Sequence, residues 1–217
     1  MNQPAFLLEF SPNEVPAIAA ARSLAEDLAA NVPITRKHLA DTFTKLTGAT
    51  DADNRWSLSD THASVELAQL LYLQATSTIT PDSQMAEAFA CFDNIEGLTP
   101  IQYNRSEEQI RSQQFSTPLR LAWIAARAAG LSKANLTLEP SAGTGMLAYW
   151  AQQCGSKLAL NEIHALRRDA LHALFPDVRV SMHDGELIDE LLDPSILPDT
   201  VLINPPYSVG LERGADG

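Results

Sequence analysis

Residues 136–148 read LTLEPSAGTGMLA, and the way they fold decides the class of the protein. Leu136, Thr137 and Leu138 suit a short buried strand. Glu139-Pro140 ends it, because proline donates no backbone N–H and fixes φ. Gly143 and Gly145 then permit a tight turn and a close approach of the main chain to a ligand before a helix begins. Strand, glycine turn and helix make the first half of a βαβ unit. Three further β-like runs follow: KLALNEI (157–163), VRVSMHD (178–184) and TVLINPP (200–206). Helical runs start near Gly145 and Ala165, with a shorter one near Leu187. This alternation predicts an α/β protein with a Rossmann-like parallel sheet and right-handed crossovers. Ligands of such sheets sit at the carboxyl ends of the strands, near the point where strand order reverses. Each run here ends in a polar residue: Glu139, Glu162, Asp184 or Asn204.

Those tips suggest a ligand. Gly143-x-Gly145-x-x-Ala148 fits a relaxed dinucleotide fingerprint, so a nicotinamide enzyme is one reading. Glu139 opposes it, since a carboxylate aimed into the loop repels a pyrophosphate and suits an ammonium group. Ser141 and Gly143 belong to the same turn. Glu162 has the lone pairs to accept from both hydroxyls of a ribose. Ile163 beside it suits an adenine face, Asp184 suits an adenine amino group, and Gly185 would leave room for the ring. Upstream, QQFSTPLRLAWIAARAAG (113–130) reads as a helix with Thr117 as N-cap, Pro118 as first residue and Gly130 as stop. Its N-terminus suits a carboxylate, and Phe115 suits the cover of an adenine or a methionyl chain. An ammonium, a carboxylate, a ribose diol and an adenine without a phosphate describe S-adenosylmethionine.

The last run, TVLINPPYS (200–208), suits a methyl acceptor. Pro205 and Pro206 stop the strand and stiffen the loop, holding Asn204 and Tyr207 at its carboxyl end. The lone pair of an exocyclic aromatic amine is delocalised into its ring, so the amine is a poor nucleophile. If the Asn204 side-chain oxygen and the Pro205 carbonyl accept its two N–H bonds, the nitrogen is drawn toward a tetrahedral shape and its lone pair faces a methyl donor. Tyr207 offers a ring for stacking on a base that is flipped out or single-stranded. The scheme needs neither a metal nor a covalent intermediate.

The order FSTP, EPSAGTG, NEI, HDG, NPPY over about residues 113–208 is similar to that of the amino DNA methyltransferases, in particular the N6-adenine group. The resemblance implies that Asn204, Pro205, Pro206 and Tyr207 form a catalytic loop. It implies that Thr117, Glu139, Gly143, Glu162 and Asp184 hold S-adenosylmethionine, and that adenine in DNA is the substrate. Release-factor glutamine methyltransferases and some RNA-guanine and cytosine-N4 enzymes carry the same loop or close relatives of it. Residues 34–77 also resemble the helical region ahead of the methylase module in large phage- and plasmid-borne methylase–helicase proteins. A downstream helicase region in a longer parent chain is therefore expected. So is an incomplete sheet, because the resemblance implies seven strands where four are legible.

Composition sets the frame. The chain has 217 residues, 45% hydrophobic and 19% charged, enough for a real core. Its two cysteines, Cys91 and Cys154, lack metal-like spacing and imply no disulfide frame. No long apolar window or signal-like N-terminus is seen, so a soluble, cytoplasmic protein without a membrane partner is expected. The net charge is −12, with 13 acids and 5 bases in residues 1–100 against 14 and 10 in 101–217. That is no general nucleic-acid footprint. An acidic docking module with a vestigial methylase fold is thus the alternative from a different class.

Residues 1–100 read as an α-helical region. Ser11 to Glu14 looks like a capping box opening a helix to about Asn31. Pro33 to Gly48 follows with Leu39, Phe43 and Leu46 on one face. A third helix carries Val65, Ala68, Leu71 and Tyr72, and a fourth from Thr80-Pro81 carries Met85, Phe89 and Phe92. Gly97 to Pro100 is the expected boundary with a methyltransferase-like part at 101–217.

Overall fold

In the computed structural model, which describes residues 14–100, 116–133 and 135–205, the first helix is α1 (Pro16–Ala29). It starts later than expected, at Pro16, with Val15 as an N-cap that makes no side-chain bond. Glu14 pairs with the Arg22 guanidinium at 2.9 Å, and Ser11 to Asn13 lie outside the described residues. Pro16 opens the helix, where its missing N–H is redundant. The second helix, α2 (Arg36–Thr47), is capped by Thr35, whose hydroxyl accepts from the His38 N–H. Gly48 closes it in the left-handed conformation. Leu39 and Phe43 are buried, whereas Leu46 is exposed.

A reciprocal bond between Ser57 and Asp60 starts α3 (Leu58–Thr76). Its expected single apolar face is exceeded, because burial runs almost all round the helix from Thr61 to Leu73. Small residues let α1 lie close alongside, and the Ser64 hydroxyl donates to the Ala17 carbonyl at 3.0 Å. The fourth helix, α4 (Met85–Leu98), begins beyond Thr80-Pro81. Those two residues form a turn whose carbonyls accept from Trp123 and Arg127. Met85 is exposed, and Phe92 is the buried anchor.

The α5 helix (Leu119–Ala128) has Pro118, not Thr117, at its N-cap position, without a side-chain bond. After it come β1 (Leu136–Glu139), α6 (Met146–Gln153), β2 (Lys157–Asn161), α7 (Ala165–Leu174), β3 (Val180–Ser181), a short α8 (Ile188–Leu191) and β4 (Thr200–Val201). The strands form one parallel sheet in the order β3-β2-β1-β4. β3 and β4 are two residues each, shorter than the runs that suggested them. The chain builds outward from β1 to β3 and then returns to place β4 on the other side of β1. Strand order therefore reverses between β1 and β4, and the Leu202 N–H reaches the Leu138 carbonyl at 3.0 Å across that junction.

One apolar cluster runs from Ile18 in α1 to Leu202 beyond β4. At its centre Phe92 of α4 meets Trp123 of α5 and Trp150 of α6 edge-on, with ring centroids 6.1 and 5.6 Å apart. The helices of residues 14–100 and the sheet thus share a core. Among the described residues, no helix is long and apolar enough to cross a membrane.

Candidate functional site

A cleft of about 380 Å³ opens at the carboxyl ends of the strands, over the junction of β1 and β4. Glu139, the last residue of β1, lies at its base and is only 3% exposed. The Ala148 backbone N–H donates to this carboxyl, while its Oε2 atom finds no hydrogen-bond partner among the described residues. Burial pushes the Glu139 carboxyl well above the usual carboxylate range, and the nearby Glu162 carboxylate adds to that. A buried acceptor without a donor costs free energy unless a ligand supplies one.

The glycine loop forms the next wall. Gly143 adopts φ +57°, and its N–H donates to Glu162 Oε2 at 2.8 Å. A side chain there would meet no heavy atom within 4 Å, because the position borders open space. Gly145 differs: at φ +97°, an added Cβ would lie 3.0 Å from Leu171 of α7 and from Phe175 just after it. Glycine there lets the loop pack closely against those side chains. Ser141 and Thr144 line the cleft, and the Thr144 hydroxyl donates to Glu66 of α3 at 2.8 Å.

Glu162 follows β2 directly and is buried. Its Oε1 accepts from the His164 N–H at 2.8 Å, so each carboxylate oxygen already holds one backbone donor. A carboxylate has about four acceptor sites, which leaves capacity for hydroxyls. Ile163 beside it is exposed toward the cleft. Asp184 lines the far side, and its Oδ1 accepts from the Glu186 N–H, capping the short 3₁₀ turn Gly185–Leu187. Gly185 also lines the cleft. A Cβ there would sit 3.0 Å from the Ser141 hydroxyl and 3.1 Å from the Pro140 carbonyl, so the glycine lets two loops touch.

On the opposite side, Asn204 and Pro205 leave β4 and face the same cleft as Glu139. The Asn204 side-chain amide donates to the Thr117 hydroxyl at 3.1 Å. Thr117, expected as a helix cap, instead holds that amide at the cleft wall. Phe115, Pro206 and Tyr207 lie outside the described residues.

Two residues escaped sequence reasoning. Asn161 ends β2 as a buried staple. Its amide nitrogen donates to the Pro140 and His183 carbonyls at 2.8 and 3.0 Å, and its oxygen accepts from the Ser181 hydroxyl and the His183 N–H at 2.8 Å. The signal was an amide ahead of the more conspicuous Glu162. Glu66 was the other, an acid set in the apolar stretch ASVELAQLLYL (63–73). Arg167 is a basic group on the cleft lining, against the carboxylates of Glu139, Glu162, Asp184 and Glu186.

Fold and site together define an α/β protein with a parallel, Rossmann-like sheet and an acidic cleft at its switch point. No family model, curated protein or solved structure matches the chain.

Proposed function

We propose that this chain binds S-adenosylmethionine in the cleft and transfers its methyl group to the exocyclic N6 amine of adenine in DNA, as an enzyme with the sheet of a class I methyltransferase. The observation that carries the reading is one cleft lined by both the buried carboxyl of Glu139, whose Oε2 finds no partner among the described residues, and the Asn204-Pro205 loop. Among the described residues, four acidic side chains and one arginine line the cleft, a balance that disfavours a pyrophosphate and weighs against a nicotinamide cofactor.

The residues present fit the donor. Glu139 would take the ammonium, and the remaining lone pairs of Glu162 would take the ribose hydroxyls. Ile163 would cover an adenine face, while Asp184 would accept from the adenine amino group. The N-terminal end of α5, at Ser116 and Thr117, borders the cleft where a carboxylate would be favoured. When bound, S-adenosylmethionine would supply a sulfonium-activated methyl, which the amine would take by displacing the sulfur with its bonding electron pair, losing one proton to water.

The chain's contribution is to aim the amine. The Asn204 amide oxygen and the Pro205 carbonyl would each accept one N–H, which draws the nitrogen lone pair out of conjugation. Thr117 holds the nitrogen end of the Asn204 amide at 3.1 Å, which orients its acceptor end. Labelled-methyl transfer to DNA, RNA and protein, with Asn204→Ala as control, tests the reading. Label on adenine N6 that Asn204→Ala abolishes supports it. Label on a glutamine amide or on RNA moves the substrate, and label on nothing leaves the acidic docking module.

A further inference from the structure

The glycine loop is held by the helical region as well as by the sheet. Thr144 stands between two residues in the left-handed conformation, Gly143 and Gly145. Glycine restrains the backbone least, so such a loop does not fix its own shape. It is pinned at two points by side chains from elsewhere. Glu162 takes the Gly143 N–H from the β2 side, and Glu66 takes the Thr144 hydroxyl from the α3 side at 2.8 Å. Glu66 and Thr144 are 6% and 3% exposed and lie 78 positions apart in the chain. A carboxylate so deeply buried on a helix surrounded by apolar side chains costs stability unless its oxygens are bonded. Packing alone would favour a leucine there.

We infer that Glu66 is a positioning residue for the ligand site: through Thr144 it holds the glycine loop in its ligand-accepting shape, which makes α3 part of the site. The inference rests on the cleft being the methyl-donor site. Restraint of the loop before binding lowers the ordering cost that the ligand would otherwise meet. Neither residue needs to touch the reacting atoms for this.

Two readouts test it. Hydrogen exchange at the Gly143 and Gly145 amides, measured without ligand, reports the loop itself. Titration with S-adenosylmethionine reports its consequence. Glu66→Ala and Thr144→Val should each speed exchange at those amides and weaken the ligand by about tenfold. Glu66→Gln and Thr144→Ser keep an acceptor and a hydroxyl, and should stay within about twofold of the parent on both measures. The double variant Glu66→Ala/Thr144→Val should bind no worse than either single one, since both remove the same bond. Thr144→Val also covers the case in which Glu66→Ala does not fold. Unchanged loop exchange in Thr144→Val, or Glu66→Gln behaving like Glu66→Ala, overturns the inference. If the parent chain takes no S-adenosylmethionine yet loop exchange follows the pattern, the donor reading fails while the positioning role of Glu66 stands.

Discussion

Glu139 carries the largest electrostatic tension in the site, and its pH behaviour follows from the direction of its shift. Burial raises its folded value well above the ordinary 4.5. Between those two values the folded chain holds a proton that the unfolded chain has lost. Its contribution to stability is therefore complete below about 4.5 and is lost as pH rises through the raised value. Glu139→Gln removes that dependence, so the variant should have a flatter stability profile and exceed the parent in alkaline denaturant melts. Binding of an ammonium favours the ionised form, so ligand affinity in the parent should rise with pH and binding should release a proton. In Glu139→Gln, calorimetry should show affinity lower by about tenfold or more and no proton release. Thr117 gives the second prediction at this scale. Thr117→Val removes one hydrogen-bond partner of the Asn204 amide and should lower kcat by about 10- to 100-fold with little change in the donor KM, while Thr117→Ser should recover it.

At the scale of elements, the two glycines of the loop part company. Gly145→Ala meets both a left-handed φ and the Leu171 and Phe175 side chains 3.0 Å away, and should cost about 2–4 kcal/mol in urea titration. Gly143→Ala meets only the backbone penalty, about 1–2 kcal/mol, yet places a methyl at the cleft wall and should weaken the ligand more. Asn161→Ala deletes a staple joining β2 to the loops after β1 and β3 and should cost about 2–4 kcal/mol. The positions of β1, α6, β2 and α7 were legible in the sequence, because glycine punctuation and apolar runs act locally. Roles set by distant contacts were not. Thr117 has the sequence of an N-cap, but its partner lies 87 positions away at Asn204. Gly185 precedes a turn, and only the approach of Ser141 shows why no side chain fits. One helix start moved for a similar reason: Thr80 carries capping chemistry, but its carbonyl accepts from Trp123 and the helix begins at Met85.

At the scale of the whole molecule, the helical region and the sheet are joined by one core. Phe92, Trp123 and Trp150 come from three helices on both sides of the expected boundary at 97–100. Urea unfolding followed by tryptophan fluorescence and by far-ultraviolet circular dichroism should then give one coincident transition. Phe92→Ala should lower the stability of both regions together by about 3–5 kcal/mol. The acid-rich cleft sits where this shared core brings α3, the glycine loop and the β4 tip together, so loss of the core should abolish the site. The most direct measurement is a calorimetric titration of the parent chain and Glu139→Gln with S-adenosylmethionine, and in parallel with NAD. The parent should bind S-adenosylmethionine saturably with release of a proton, the variant should bind it markedly more weakly, and neither should bind NAD. NAD binding, or S-adenosylmethionine binding that Glu139→Gln leaves intact, would contradict the donor reading.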